Sequence, residues 1–305
     1  MYYIGIDLGG TNIATGLVNK TGEIILKKSI PTRPKRKPEL IIKDMATNCI
    51  EILNESNVSL PQVKSIGIGI PGKCQNKTIL HACNIESLDN FNIENELKKY
   101  FDLPVYLGND ANCAAFAEYL FGASKDYKNS IMVTLGTGIG GGIIIDGKIY
   151  KGFQAGAGEI GHHVIISNGK KCNCGRNGCW EAYASATALI NQANIAAKKN
   201  PNSKLNTELN AQKIFEIADA NDKTAQDVIS NYIFYLAEGL TNLINILHPE
   251  IIVIGGGISA QGEKLLTPVR KQIQKNVYMK NLDTKIVQAK LGNDAGIVGA
   301  AFLKN

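Results

Sequence analysis

The sequence predicts an α/β fold built from two copies of one β-unit, and two stretches carry that prediction. Residues 131–147 run as an apolar strand, a turn of glycines and small residues, and a second apolar strand closed by Asp146-Gly147. Residues 3–30 give the same order of strand, glycine turn, strand, tight turn and strand. Repetition of a whole supersecondary unit marks an internal duplication. Further apolar strands at 63–70, 103–107, 251–254 and 285–289, set among segments of helical periodicity, complete two α/β domains.

The central turn is the most informative element. Five glycines between Gly136 and Gly142 leave backbone N–H groups unobstructed, which suits a loop wrapped around an anion. Gly136, Gly138 and Gly141 also match G-x-G-x-x-G, but a dinucleotide site needs a helix next, and here a strand follows with a type I′ turn signal at Asp146-Gly147. Gly67, Gly69 and Gly72 match the same pattern without a helix, so the Rossmann reading is set aside. In the first unit, Asp7 ends a strand before Gly9, Gly10, Thr11 and Asn12. Two such turns facing each other across a cleft would hold different phosphates of one nucleotide.

Taken in order, the chain continues with a helix over 39–56, opened by Pro38 and ended near Asn57. The region 73–95 reads as polar and irregular, and its Cys74, His81 and Cys83 are either metal ligands or ordinary loop and core residues. The strand at 103–107 leads into Asn109 and Asp110 and then an alanine-rich helix to 121. Asp110 is therefore a helix cap or a catalytic carboxylate, at a strand end where α/β sheets present their chemistry. Beyond the central hairpin lie Glu159 and His162, then Cys172, Cys174 and Cys179. Three cysteines in eight residues with a histidine nearby make a Cys₃His set suited to tetrahedral Zn²⁺. Helices are expected over 181–199, 211–218, 222–247 and 294–304. The turn Gly255, Gly256 and Gly257 is either a tight strand–helix connection or a surface for adenosine. A Walker A loop is absent, since Glu263 stands where Gly257-x₄-Gly262 would need lysine.

Read together, Asp7 to Thr11, the glycine loop 135–142, the Gly158–His162 stretch and the Cys172–Glu181 stretch resemble, in order, the motifs of the ROK family of sugar kinases and repressors. The resemblance spans nearly the whole chain. It implies an actin-like, ribonuclease-H-like pair of α/β domains around a central cleft, residues 1–120 completed by a C-terminal helix over 291–305, and residues 121–290 with the zinc loop. It implies ATP with Mg²⁺ and a hexose, most simply glucose phosphorylated at its 6-hydroxyl by a cytoplasmic glucokinase, in a homo-oligomer such as a dimer. Asp110 would be the general base. Gly72, Asn109, Asp110, Glu159, His162 and Glu181 would bind the sugar. Asp7 would act through Mg²⁺, Gly9, Gly10, Thr11, Asn12, Gly136, Thr137, Gly138 and Gly140 would hold phosphates, and Gly255 to Gly257 would flank the adenosine. Zinc would sit on His162, Cys172, Cys174 and Cys179 as a structural ion, leaving His163 aside and one His162 nitrogen for the sugar.

Composition agrees with an ordinary globular protein: 305 residues, 44% hydrophobic, 20% charged and a net charge of +6. The one dense basic run, Arg33 to Lys37, lies between prolines and reads as a solvated loop, so nucleic acid is not expected as partner, and no apolar run reaches the ~18 residues of a membrane span, so neither is a membrane. The first strand starts at Tyr2, which leaves no space for a secretory leader or for the DNA-reading domain of a ROK repressor. An odd count of seven cysteines argues against a disulfide framework. A sugar-sensing regulator and a non-catalytic sugar-binding module remain as rival readings. N-acetylmannosamine, N-acetylglucosamine, allose and fructose remain as rival acceptors.

Overall fold

Strand β1 (Tyr2–Leu8) carries Ile4, Ile6 and Leu8 into the core, and tight turns return it as β2 (Asn12–Asn19) and β3 (Ile24–Pro31). Helix α1 (Pro38–Glu55) follows, with Pro38 in its first turn, where a missing N–H costs nothing. Then come β4 (Val63–Ile70), β5 (Gly72–Gln75), β6 (Thr78–Ala82), β7 (Phe91–Asn92), α2 (Ile93–Leu97), β8 (Val105–Asn109) and α3 (Asp110–Phe121). The second half contributes β9 (Ser130–Leu135), β10 (Ile139–Ile145), β11 (Lys148–Ile149), α4 (Glu181–Ala184), α5 (Ala186–Lys199), α6 (Ala211–Asp219) and α7 (Lys223–Leu247). It ends with β12 (Ile251–Gly255), α8 (Glu263–Asn276), β13 (Lys285–Gln288) and α9 (Ala295–Ala301). This computed structural model describes residues 1–304.

The duplication is visible in the sheets. One runs β3-β2-β1-β4-β8 and the other β11-β10-β9-β12-β13, the same order in both halves. In each, the first strand of the unit pairs in parallel with the fourth, and the fourth with the fifth. Central strands such as β4 and β12 are buried on both faces and read as continuous apolar runs, whereas the edge strand β3 alternates half-buried with exposed positions. Asp146 and Gly147 both take positive φ, as the predicted type I′ turn requires.

Two compact units result: residues 1–128, 142–158 and 290 onward, and residues 129–141 with 159–289. The first boundary thus falls after 128 rather than 120, and the segment 142–158 belongs with the first unit, so the division passes through β10.

In the first unit, α9 lies directly against β1 and β4. A Cβ at Gly5 would stand 2.0 Å from the Ile297 carbonyl oxygen and one at Gly67 would stand 1.7 Å from that of Ala300. Only glycine lets helix and sheet approach so closely. Ile297 and Val298, both buried, add roughly 2 kcal/mol each by leaving water. In the second unit the packing centre is Trp180, fully buried against the Cα of Gly239 in α7, with its indole N–H donating to the Tyr235 carbonyl at 2.9 Å.

Three expectations change. The region 73–95, expected to be irregular, holds the three-stranded sheet β5-β6-β7 and the short α2. Its side chains are polar but Ile79, Ala82, Ile85, Leu88 and Ile93 are buried, a pattern too sparse to show a period. The helix expected over 181–199 breaks at Ser185, whose side chain caps α5 by accepting from the Ala188 N–H. The C-terminal helix covers Ala295–Ala301 only, and Asn305, the last position of the predicted one, lies outside the described residues.

Candidate active site

In the first unit, β1, β4 and β8 are parallel, so their carboxyl ends share one edge of the sheet, where α/β proteins collect functional groups. Asp7, Gly72, Asn109 and Asp110 lie at that edge or just beyond it. The two acidic residues differ in setting. Asp7 is closely covered by Gly296, where a Cβ would come within 2.5 Å of its Oδ2, and burial raises its carboxyl above the usual carboxylate range. A divalent cation nearby would reverse that shift. Asp110 is the first residue of α3, and its Oδ1 accepts from the Ala111 N–H at 2.8 Å.

The capping role is taken by Asn109, not Asp110. Asn109 Oδ1 accepts from the Asn112 N–H at 3.0 Å, and its Nδ2 donates to the Gly72 carbonyl at 3.2 Å. This removes the simplest structural explanation for a carboxylate at 110 and fixes Asn109 against Gly72. The fully buried Cys113 one turn into α3 is pushed well up by burial and by the negative charges of Asp110 and Asp7, so both carboxylates bear on one neighbourhood. The first glycine turn is held by Gly9, whose N–H donates to the Asn12 carbonyl at 2.9 Å and whose carbonyl accepts from the Thr32 hydroxyl at 2.6 Å. Thr32 is a support that nothing in the motif spacing announced.

In the second unit, the glycine loop after β9 is gripped by the segment 181–187. The Ile139 N–H donates to Glu181 Oε2 at 2.8 Å, the Ala186 N–H to the Gly136 carbonyl at 2.9 Å, and the Thr187 hydroxyl to the Thr137 carbonyl at 2.8 Å. Gly138 lies flat on the Glu181 carboxylate, where a Cβ would fall 2.2 Å from Oε2. Gly136 faces open space. Of the three glycines at 255–257, packing explains two: a Cβ at Gly255 would strike Met132, and Gly256, at φ 81°, lies against the backbone of Leu135. Gly257 faces open space, with no packing reason of its own for a glycine.

A cavity of about 850 Å³ in the same unit is lined by Thr137, Lys170, Glu181, Thr187, Asn191 and Lys198 among others. That volume suits a nucleotide-sized ligand. Apart from Thr137 and Glu181, none of these residues stood out in the sequence, because lysines and asparagines on an amphipathic helix read as its solvated face.

The four predicted metal ligands converge. The Sγ atoms of Cys174 and Cys179 are 3.6 Å apart, Cys172 Sγ is 3.7 Å from His162 Nδ1, and all four ligand atoms lie within 4.8 Å of one another. Tetrahedral zinc with Zn–S bonds of ~2.3 Å sets sulfur ligands about 3.7 Å apart, so the set fits the ion. Because Nδ1 faces the cysteines, Nε2 is the His162 nitrogen left for another partner. His163 turns away: its Nδ1 is 2.5 Å from the Ile160 carbonyl, its ring packs on Trp180, and burial lowers its pKa. Cys74, His81 and Cys83 do not form such a set. Cys74 is buried in β5, His81 pairs with Asp89 at 3.1 Å, and no other group of three or more potential ligands converges among the described residues. Chelation is expected to make Cys172, Cys174 and Cys179 reactive toward a thiol reagent and to lower Tm. Equal thiol reactivity with and without chelator, in protein carrying about one zinc per chain, would contradict a bound ion.

A sheet order used twice, each copy with a glycine turn after its first strand, matches the actin-like ATPase fold, and the similarities that follow put this chain among the sugar phosphotransferases of that fold. The chain belongs to the ROK family, whose family model matches residues 3–305. The glucokinase of Halalkalibacterium halodurans is 38% identical over 312 residues, covering 99% of this chain and 94% of that protein. The ROK family glucokinase of Streptomyces griseus, solved in complex with glucose and AMPPNP, matches with a TM-score of 0.84 at 33% identity, covering 99% of this chain and 98% of that one. The xylose repressor of Bacillus spizizenii is 33% identical over 308 residues, covering 99% of this chain and 76% of the repressor. No helix among the described residues is long and apolar enough to cross a membrane.

Proposed function

We propose that this hexose kinase is a glucokinase, transferring the γ-phosphoryl group of ATP to the 6-hydroxyl of glucose. The observation that carries the reading is the arrangement at the start of α3, where Asn109 caps the helix and anchors Gly72 and places the Asp110 carboxylate next to it at the carboxyl end of β8. Asp110 takes the hydroxyl proton as the sugar oxygen bonds to the γ-phosphorus and the bond to the β-phosphate oxygen breaks, releasing ADP. Phosphoryl transfer otherwise needs positioning and charge neutralisation.

Asp7 is the candidate for Mg²⁺ or its waters, and the backbone of Gly9, Gly10, Thr11, Asn12, Gly136, Thr137, Gly138 and Gly140 for the phosphates. The cavity beside Thr137 and Thr187, together with Gly257, is the candidate for the nucleoside. Glu159, His162 and Glu181 are the candidates for further sugar hydroxyls, which as donors need such acceptors when buried. Bound zinc would supply rigidity to a loop with little apolar material of its own, and with four protein ligands it leaves no open position for chemistry.

The repressor relative supports a second reading, a regulator that binds sugar without turnover. ADP release measured with MgATP against glucose, N-acetylmannosamine, N-acetylglucosamine, allose and fructose separates the two. The highest kcat/KM is expected with glucose. A preference for another sugar would correct the acceptor, and no ADP release with any sugar would sink the kinase. We also propose a homodimer, supported by Phe234, Ile246 and Leu247 exposed on α7, and sedimentation at working concentration decides it.

A further inference from the structure

The segment joining the cysteine cluster to the glycine loop is short and fully engaged, and one side chain touches both. Glu181, two residues after Cys179, directs Oε2 to the Ile139 N–H at 2.8 Å, and its Oε1 lies 3.7 Å from Cys172 Sγ, a hydrogen bond only while that sulfur keeps its proton and not when it is a zinc-bound thiolate. Gly138 is pressed against the same carboxylate, closely enough that no other residue type fits there without displacing it. Five and six residues on, Ala186 and Thr187 hold the carbonyls of Gly136 and Thr137. All of these groups lie in the second unit.

We propose that Glu181 is a positioning residue for the phosphate donor: by fixing Ile139 and Gly138 it sets the conformation of the glycine loop, and the two-residue link from Cys179 ties that loop to the cysteine cluster. The reason is geometric. A run of glycines has high conformational entropy when unrestrained, and a loop that must present N–H groups to phosphates binds more tightly when its shape is fixed beforehand. A carboxylate accepting a backbone N–H makes a charge-assisted bond, stronger than a neutral one. The Thr187 and Ala186 contacts fix the loop's entry, and Glu181 fixes its exit into β10. This role rests on the kinase reading above and differs from the sugar contact that the family resemblance gives to the same residue, because it acts on the nucleotide in the absence of sugar.

The test is calorimetric binding of the magnesium complex of a non-hydrolysable ATP analogue, without sugar, to the zinc-loaded wild type, Glu181→Ala, Glu181→Gln and Thr187→Val. Glu181→Ala is expected to weaken nucleotide binding about tenfold, the value of one lost charge-assisted hydrogen bond. Glu181→Gln keeps an acceptor for Ile139 and is expected to recover most of that loss, while Thr187→Val, lacking one tie at the other end of the loop, is expected to show a smaller loss. Chelation is expected to weaken nucleotide binding in the wild type and to add little in Glu181→Ala. An unchanged nucleotide Kd in Glu181→Ala, with only the sugar KM raised, overturns the proposal and leaves the residue as a sugar contact. If Glu181→Ala does not fold, an unchanged Kd in Thr187→Val together with no effect of chelation on wild-type nucleotide binding overturns it. Product formation by the wild type is measured alongside, so failure of the kinase reading shows there and not in the comparison of variants.

Discussion

Asp110→Asn is expected to lower kcat by about 10³-fold while leaving the fold and the affinity for glucose nearly unchanged. Asparagine keeps the size of the side chain and an oxygen to accept from the Ala111 N–H, one of the contacts Asp110 makes. Asn109 continues to cap α3, so the helix loses only the charge–dipole contact of a first-turn carboxylate, about 0.3–1 kcal/mol. In the mechanism proposed above the variant loses the base for the sugar hydroxyl, and only the transition state would feel that loss, which places the expected effect in kcat rather than in binding. Steady-state kinetics with MgATP, alongside equilibrium glucose binding, separates the two quantities. Turnover within tenfold of wild type would remove Asp110 from the mechanism, and a large loss of glucose affinity would recast it as a binding group.

Gly67→Ala is expected to be among the most damaging single-methyl changes in the first unit. The new Cβ would overlap the Ala300 carbonyl oxygen, 1.7 Å away; a Cβ is fixed to its backbone and the atom it meets is backbone inside a packed sheet–helix layer, so no rotamer change relieves it. Either α9 lifts from β1 and β4 or the sheet distorts. A cost of about 3 kcal/mol follows from overpacking at a site that cannot yield, which corresponds to a fall in Tm of roughly 6 °C or more. Because α9 also covers Asp7 through Gly296, a lifted helix exposes that carboxylate, and weaker MgATP binding should accompany the lower Tm. Gly175→Ala, at an open position of the cysteine loop, has no neighbour to strike within 4 Å and serves as the contrast. Its φ of 90° carries strain of a different origin, confined to that loop. Equal Tm for Gly67→Ala and the wild type would show that the layer is softer than its geometry.

The two β-units, the type I′ turn at Asp146-Gly147 and the convergence of His162 with Cys172, Cys174 and Cys179 were legible in the sequence, because each depends on residues close together in the chain. Turn chemistry, apolar runs and ligand spacing are local signals, and local signals survive being read one dimension at a time. The antiparallel order of the first three strands of each sheet also follows from them, since each repeated unit carries its own turns, whereas the parallel partners β4, β8, β12 and β13 join across long stretches of chain.

Other features needed the tertiary structure, for a common physical reason: they are set by which distant backbones come into van der Waals contact. Glu181 meets Ile139 across 42 positions of sequence, and nothing at either position announces the bond. Gly5, Gly67 and Gly296 look alike in the sequence, yet the first two admit a helix backbone and the third admits the Asp7 side chain. The choice between Asn109 and Asp110 as the cap turned on side-chain direction, and the small sheet at β5, β6 and β7 emerged from buried residues too scattered to show a period. Local chemistry determined which groups this protein carries; approach of segments far apart in the chain decided what each group does.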